Sequence, residues 1–254
     1  MQGTGNDFVL VDASKTGELD FSELSRWVCH RHTGIGADGL LVLAQDGAGL
    51  NMRMWNPDGS LSEMCGNGLR CFARYAIDHG LATGKFVVKT GAGPLECEAI
   101  GDDIRISLGM ADVSSLSVDL THPLLAYPYQ GTVVSMGNPH VVIFVADVAA
   151  VPLEFDGPTI ETLPRFPNRT NVHFVQVQSR NEVTVRHWER GAGATLACGT
   201  GMGASVAAGI ATGRLDRTVR VNLPGGRTTV TVEESGATWL TGPAAVSFYG
   251  EFPL

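Results

Sequence analysis

Two short stretches, Cys65-Gly66-Asn67-Gly68 and Cys198-Gly199-Thr200-Gly201, each place a thiol ahead of two alternating glycines. Apolar groups at helical spacing follow both: Leu69, Phe72, Ala73, Ala76 and Ile77 as far as a stop at Gly80, and Met202, Ala204, Val206, Ala207, Ala208 and Ile210 as far as Gly213. Each cysteine therefore stands at the mouth of a helix. A helix N-terminus carries unpaired N–H groups and a partial positive charge, so it accepts a carboxylate or phosphate, and glycines let that ligand reach the backbone. The same field favours thiolate over thiol, lowering a cysteine pKa from about 8.5 toward the range in which it can exchange protons with a substrate.

Several chemistries compete for such a pair. Packing at a helix start accounts for a lone cysteine better than for two with matching glycines. Zinc sites use tighter pairs than Cys65 with Cys71, and Cys198 has no nearby cysteine or histidine. The Cys-x-x-Cys spacing of a redox disulfide is absent. Neither loop has the lysine of a nucleotide P-loop or the spacing of a dinucleotide fingerprint. Inverting a carbon stereocentre, in contrast, needs a base on one face and an acid on the other, with the roles exchanged in the reverse direction. Two matched halves closing on a substrate would supply that. The helix mouths would hold the carboxylate on the reacting carbon and stabilise charge as its proton leaves. Lys15, Lys85 and Lys89 are the only lysines, which leaves few places for a pyridoxal Schiff base. The residues point to cofactor-independent epimerisation of an amino acid, with no cofactor and no metal.

The elements that must position these thiols repeat. At a shift of about 133 residues, Gly5-Asn6 with Phe8 to Val11 falls on Gly137-Asn138 with Val141 to Phe144, and Arg53 and Trp55 fall on Arg186 and Trp188. Short strands are expected at 40–44, 51–55, 86–89, 95–99 and 104–108, and again at 172–177, 183–188, 219–223, 228–232 and 238–240. Many strands about one buried helix, twice over, predict an α+β fold of two pseudo-symmetric domains, each a mixed β-sheet or barrel wrapped around a central helix. The expected division is 1–122, carrying Cys65, and 123–254, carrying Cys198, with the linker in the stretch Thr121–Tyr129 and the C-terminal tail a candidate to return to the first half. Among 254 residues, 32 glycines accompany 44% hydrophobic residues, a globular balance in which glycine serves turns and close approaches. A net charge of −8 argues against nucleic acid or a membrane surface as partner. No apolar run nears the ~18 residues of a membrane span and no secretory signal is visible. A cytoplasmic setting with reduced thiols is therefore expected, with Cys29, Cys71 and Cys97 as packing residues.

Over essentially its whole length the chain resembles the diaminopimelate epimerase family. The motifs that carry the likeness are Gly-Thr-Gly-Asn-Asp-Phe at 3–8, Gly-Ile-Gly-Ala-Asp-Gly at 34–39, Asn-Pro-Asp-Gly-Ser at 56–60, Met-Cys-Gly-Asn-Gly-Leu-Arg-Cys at 64–71, Gly-Asn-Pro-His at 137–140, Thr-Asn-Val at 170–172 and Glu-Arg-Gly-Ala-Gly-Ala-Thr-Leu-Ala-Cys-Gly-Thr-Gly at 189–201. The resemblance implies that Cys65 and Cys198 are the acid–base pair interconverting LL- and meso-diaminopimelate. It implies that Gly66, Asn67, Gly199 and Thr200 hold the reacting end of the substrate. Asn6, Asn56, Asn138, Asn171, Glu189 and Arg190 would recognise its amino and carboxylate groups, while His140 and Glu189 support the thiols. A homodimer is also implied, with Phe248-Tyr249 a candidate for its interface.

Blander roles stand beside these. Asn6, Asn56 and Asn138 suit turns, His140 suits a structural histidine, Glu189-Arg190 a surface ion pair, and Asp7 and Asp38 structural loops. Only Met1 and Gln2 precede the first motif where family members have more of a strand, and Gly39 replaces a glutamine of some members. A proline or hydroxyproline racemase on the same scaffold is the nearest rival, although that group has Cys-Gly-His where this chain has Cys65-Gly66-Asn67. A non-catalytic binder of small anions would need neither thiol.

Overall fold

Parallel strands require a crossover, and this chain supplies one with a helix in each of four places. The computed structural model describes residues 1–47 and 49–252 and resolves into two units, Met1–Ser107 with Thr241–Leu254, and Leu108–Leu240.

In the first unit the order is β1 (Gln2–Gly3), β2 (Asn6–Asp12), α1 (Phe21–Val28), β3 (Gly39–Asp46), β4 (Gly49–Trp55), β5 (Leu61–Ser62), α2 (Gly66–Asp78), β6 (Lys85–Thr90), β7 (Gly93–Ile100) and β8 (Asp103–Met110). β2 runs parallel to β3 through α1, pairing Phe8 with Gly39, and β4 runs parallel to β6 through α2, pairing Leu50 with Val88. The other joins are antiparallel, among them Leu40 with Trp55. α2 is the helix the sheet wraps: Leu69, Cys71, Phe72, Ala73 and Ala76 are fully buried, and it contacts β1, β2, β3, β4 and β7. The short α1 starts where the Asp20 carboxylate accepts from the amides of Ser22 and Glu23, and it buries Leu24 and Val28.

The second unit repeats that order with β9 (Asp112–Asp119), β10 (Gln130–Ser135), β11 (Pro139–Phe144), α3 (Leu153–Glu161), β12 (Asn171–Ser179), β13 (Glu182–Glu189), β14 (Gly193–Thr195), α4 (Gly199–Ala211), β15 (Thr218–Leu223), β16 (Gly226–Val232) and β17 (Ala237–Gly242). β11 lies parallel to β12, His140 opposite Asn171, and β13 lies parallel to β15, Glu182 opposite Arg220. From Gly201 to Gly209 every residue of α4 is buried, as its apolar circumference requires. The repeated tryptophans hold the crossover helices: Trp55 packs on Phe21 of α1 with ring centroids 5.3 Å apart, and Trp188 donates Nε1–H to Glu161 of α3 at 2.7 Å.

Each expected strand is present, one or two residues longer at most ends, and the α+β class with two units of like topology is as read from the sequence. Helices α1 and α3 and strands β1, β5, β9, β10 and β14 go beyond what the sequence pattern predicts. The stretch Thr121–Tyr129, expected to link the domains, lies inside the second unit between β9 and β10; the chain passes between units within β8 and returns within β17. Strand pairing explains the placement. β9 completes the second unit by pairing Val113 with Val134 of β10, and Ala245 completes the first by bridging Gln2 of β1, the equivalent position.

Candidate active site

Cys65 and Cys198 are the N-cap residues of α2 and α4, each in extended backbone with no side-chain hydrogen bond closing the helix mouth. The first turn of each helix thus begins beside a sulfur, and in α4 the Gly201 N–H reaches it. All five cysteines are free thiols; Cys65 is half-buried, Cys198 is buried, and burial pushes Cys29 up to about 11 and Cys71 and Cys97 up to about 12, as packing residues require.

In the first unit the turn before β2 takes its left-handed backbone at Thr4 and Gly5, leaving Asn6 to begin the strand with its amide turned inward. Its Oδ1 accepts from the Cys65 thiol at 3.6 Å and from Asn67 Nδ2 at 3.3 Å. Its orientation is fixed from behind, because Asn6 Nδ2 donates to Asp38 Oδ2 at 2.5 Å. Asp38 and Asp7 share Arg31, which contacts them at 2.6 and 2.8 Å. Burial works against the Asp7 carboxylate, but its bonds from Arg31 and Asp38 outweigh that and hold its pKa below the usual 3.8. Asn56 stands apart from this group. It sits in the turn after β4 and donates to Ser60 Oγ at 2.9 Å, the turn role its sequence neighbours also fit.

In the second unit Gly137 supplies the left-handed residue and Asn138 again turns inward, donating to Thr200 Oγ1 at 3.4 Å; that oxygen lies 3.9 Å from Cys198 Sγ. His140, fully buried, hydrogen-bonds Asn138 Oδ1 through Nε2 at 2.8 Å. Glu189 accepts from the Thr195 hydroxyl at 2.6 Å and from the Cys198 thiol. Asn171 spends its amide on protein, donating to Pro139 O and accepting from Arg190 N, both at 2.9 Å. The Arg190 guanidinium reaches Asn168 O at 3.1 Å.

Two expectations change. The helix field alone would lower the Cys198 pKa, yet burial, followed by the charge and hydrogen bond of Glu189, raises it well above 9, against weaker help from Gly201 N–H and Thr200. Nor do all the glycines serve a ligand. A Cβ at Gly201 would run into the His173 ring, and one at Gly68 would lie 3.0 Å from Leu41 Cδ2, so these two let the helix mouths seat on the sheet. Asp38, Arg31, Thr195, His173 and His187 are the neighbours that sequence reading left out of the site. The register shared by the two halves was the signal for the last two, since both stand on strands already predicted.

Among described residues no helix is long and apolar enough to cross a membrane. The diaminopimelate epimerase family model matches residues 1–115 and 132–247. The diaminopimelate epimerase of Moorella thermoacetica is 46% identical over 275 aligned positions covering 100% of this chain and 98% of that protein. Among solved structures, a phenazine biosynthesis protein of the PhzF family from Bacillus anthracis aligns with a TM-score of 0.72 at 17% identity over 96% of this chain and 92% of its own. A hydroxyproline epimerase from Agrobacterium vitis aligns with a TM-score of 0.68 at 15% identity, over 95% and 87% respectively. At those identities the two structures share the fold alone.

Proposed function

The chain belongs to the diaminopimelate epimerase family, and from that premise we propose that it inverts one α-carbon of LL-2,6-diaminopimelate to give the meso isomer, without a cofactor, in the supply of lysine and peptidoglycan precursors. The observation that carries the reading is the matched pair of helix mouths, each capped by a free cysteine. One thiolate takes the α-proton, breaking C–H and forming S–H; the other thiol delivers its proton to the opposite face of the same carbon and becomes thiolate. In the reverse direction the roles exchange. N–H groups at Gly66-Asn67 and Gly199-Thr200 bind the adjoining carboxylate and stabilise charge gathering on its oxygens. Glu189, which accepts a hydrogen bond from the Cys198 thiol and raises its pKa, keeps that thiol protonated and ready to deliver its proton to the carbon. Asn6 and Asn138 orient the reacting end from beside each thiol, and Arg190 with Asn56 serves the distal, non-reacting end, where a guanidinium suits a carboxylate. We place the reaction in the cytoplasm, where thiols stay reduced, and assign a homodimer using the exposed Phe248 and Tyr249.

Incubation with LL-diaminopimelate or L-proline in deuterated water, under reducing conditions and without pyridoxal phosphate, tests this. Deuterium should enter diaminopimelate with inversion, proline should stay unchanged, and Cys65→Ala or Cys198→Ala should each abolish inversion. Turnover of proline in place of diaminopimelate would move the assignment to the racemases of this fold, and inversion that persists without either thiol would overturn the mechanism.

A further inference from the structure

Behind Asn138 lies a row of three imidazoles that the reaction above does not use. His140 Nδ1 meets His173 Nε2 at 2.8 Å, His173 Nδ1 meets His187 Nδ1 at 2.7 Å, and all three side chains are fully buried. His187 Nε2 has no hydrogen-bond partner among the described residues. The first unit shows that this core does not need them: at the same strand registers it carries Phe8, opposite Gly39 as His140 is opposite Asn171, and the pair Leu41–Met54 where the second has His173–His187. The ring nitrogens face one another in a line instead of converging on a point, so the row is no metal cage.

A neutral imidazole has one N–H and one lone pair, so a row of them has a direction. Its buried end decides which. An orphaned N–H in an apolar interior is rarer than an unused acceptor. His187 Nε2 therefore carries the lone pair, and the His187 proton sits on Nδ1 and is donated to His173 Nδ1. His173 then donates from Nε2 to His140 Nδ1, and His140 donates from Nε2 to Asn138 Oδ1. With its carbonyl occupied, Asn138 offers Nδ2–H to Thr200 Oγ1, which leaves the hydroxyl proton of Thr200 free to point at Cys198 Sγ. The opposite direction would present the Asn138 carbonyl to Thr200 and draw that proton away from sulfur.

We propose that His173 and His187 are positioning residues: the row they form with His140 sets the direction of the hydrogen bonds through Asn138 and Thr200, so that a hydroxyl donor is aimed at Cys198 and sustains its thiolate. This rests on the two-thiol reading of the site. Two charged groups act on the same path, Glu189 at Cys198 and Arg190 at His140. Burial holds His140 and His187 down at about 3 and His173 well below its usual value, which keeps the row neutral as a fixed direction demands.

Nitrogen NMR of the histidine-labelled wild-type protein tests the direction without any assay of turnover. The signals of His140 and His173 should report N–H at Nε2 and that of His187 N–H at Nδ1, unchanged down to about pH 5; the reverse set, or a charged ring at pH 5, overturns the proposal. The consequence is read by the pH profile of iodoacetamide alkylation at Cys198, followed by peptide mass spectrometry with Cys65 as internal control. His187→Met, the residue of the matching place in the first unit, removes the donor and should lower Cys198 reactivity at pH 8 about tenfold. His187→Asn restores an amide N–H near the place of Nδ1 and should recover most of it. Equal profiles for the two variants, or a shift shared by Cys65, would reduce the row to packing; should neither variant fold, the wild-type spectrum decides. Because tautomers and alkylation are read without substrate, failure of diaminopimelate turnover and failure of this inference remain separate results.

Discussion

Asp38 touches no sulfur, yet it decides which end of the Asn6 amide Cys65 meets, since it takes the N–H end for itself. Asp38→Asn should let that amide turn over and lower kcat/KM for diaminopimelate by about a hundredfold, the scale of a misplaced reacting group. Its ion pair with Arg31 is more than a third exposed, so the melting temperature should move by no more than a few degrees; undiminished turnover would show that the amide orientation does not matter. A second expectation concerns accessibility. Brief alkylation at pH 8 should label half-buried Cys65 first, Cys198 later, and leave Cys29, Cys71 and Cys97 unlabelled, which peptide mapping will show. At this scale the sequence disclosed the thiols and both asparagines, because the Gly-Asn and Cys-Gly pairs repeat. It concealed Asp38, whose role depends on a side-chain hydrogen bond made across 32 positions.

α4 seats on its sheet through Gly201 against a rigid ring, whereas α2 seats through Gly68 against the flexible end of Leu41. Gly201→Ala should therefore cost about 1–3 kcal/mol and Gly68→Ala less, read as a larger fall in melting temperature for the former; equal losses would mean that the histidine ring yields as easily as the leucine. The same strands make the second unit sensitive to acid. His140 and His187, held at about 3, and His173, held well below its usual value, have folded pKa values under their unfolded value of about 6.5, so they contribute stability above that pH and lose it as pH falls below it. Urea titrations at pH 6.5, 5.5 and 4.5 should show a distinctly shallower fall of stability with acid in His173→Leu/His187→Met than in the wild type; parallel slopes would contradict neutral burial. Helices α2 and α4 and most strands were legible because their apolar residues keep one period. α3 hid because Pro158 and Gly157 break its pattern, and β9 because exposed serines replace the alternation a half-buried strand shows.

Only the first unit is finished by residues from beyond its main stretch of sequence: β9 pairs inside the continuous second unit, while Pro243 and Ala245 follow the strands of the second unit and serve the first. Pro243 O accepts from Arg70 Nε at 3.3 Å, and Arg70 is fully buried. Ending the chain at Gly242 should strip that partner from a buried guanidinium and abolish a cooperative thermal transition for the first unit, measured by calorimetry; a transition within a few degrees of the full chain would show that the closing residues are dispensable. Sequence comparison of the halves could not reveal this arrangement, since a repeat records what is copied and says nothing of which copy a strand joins. The arrangement also sets a timetable for biosynthesis. At about 5–20 residues per second a ribosome finishes Ser107 roughly 7–28 s before it reaches Ala245. Until then the sheet edge at Gln2 lacks its Ala245 partner, so the nascent first unit is left open to chaperones or to the same edge on a neighbouring chain.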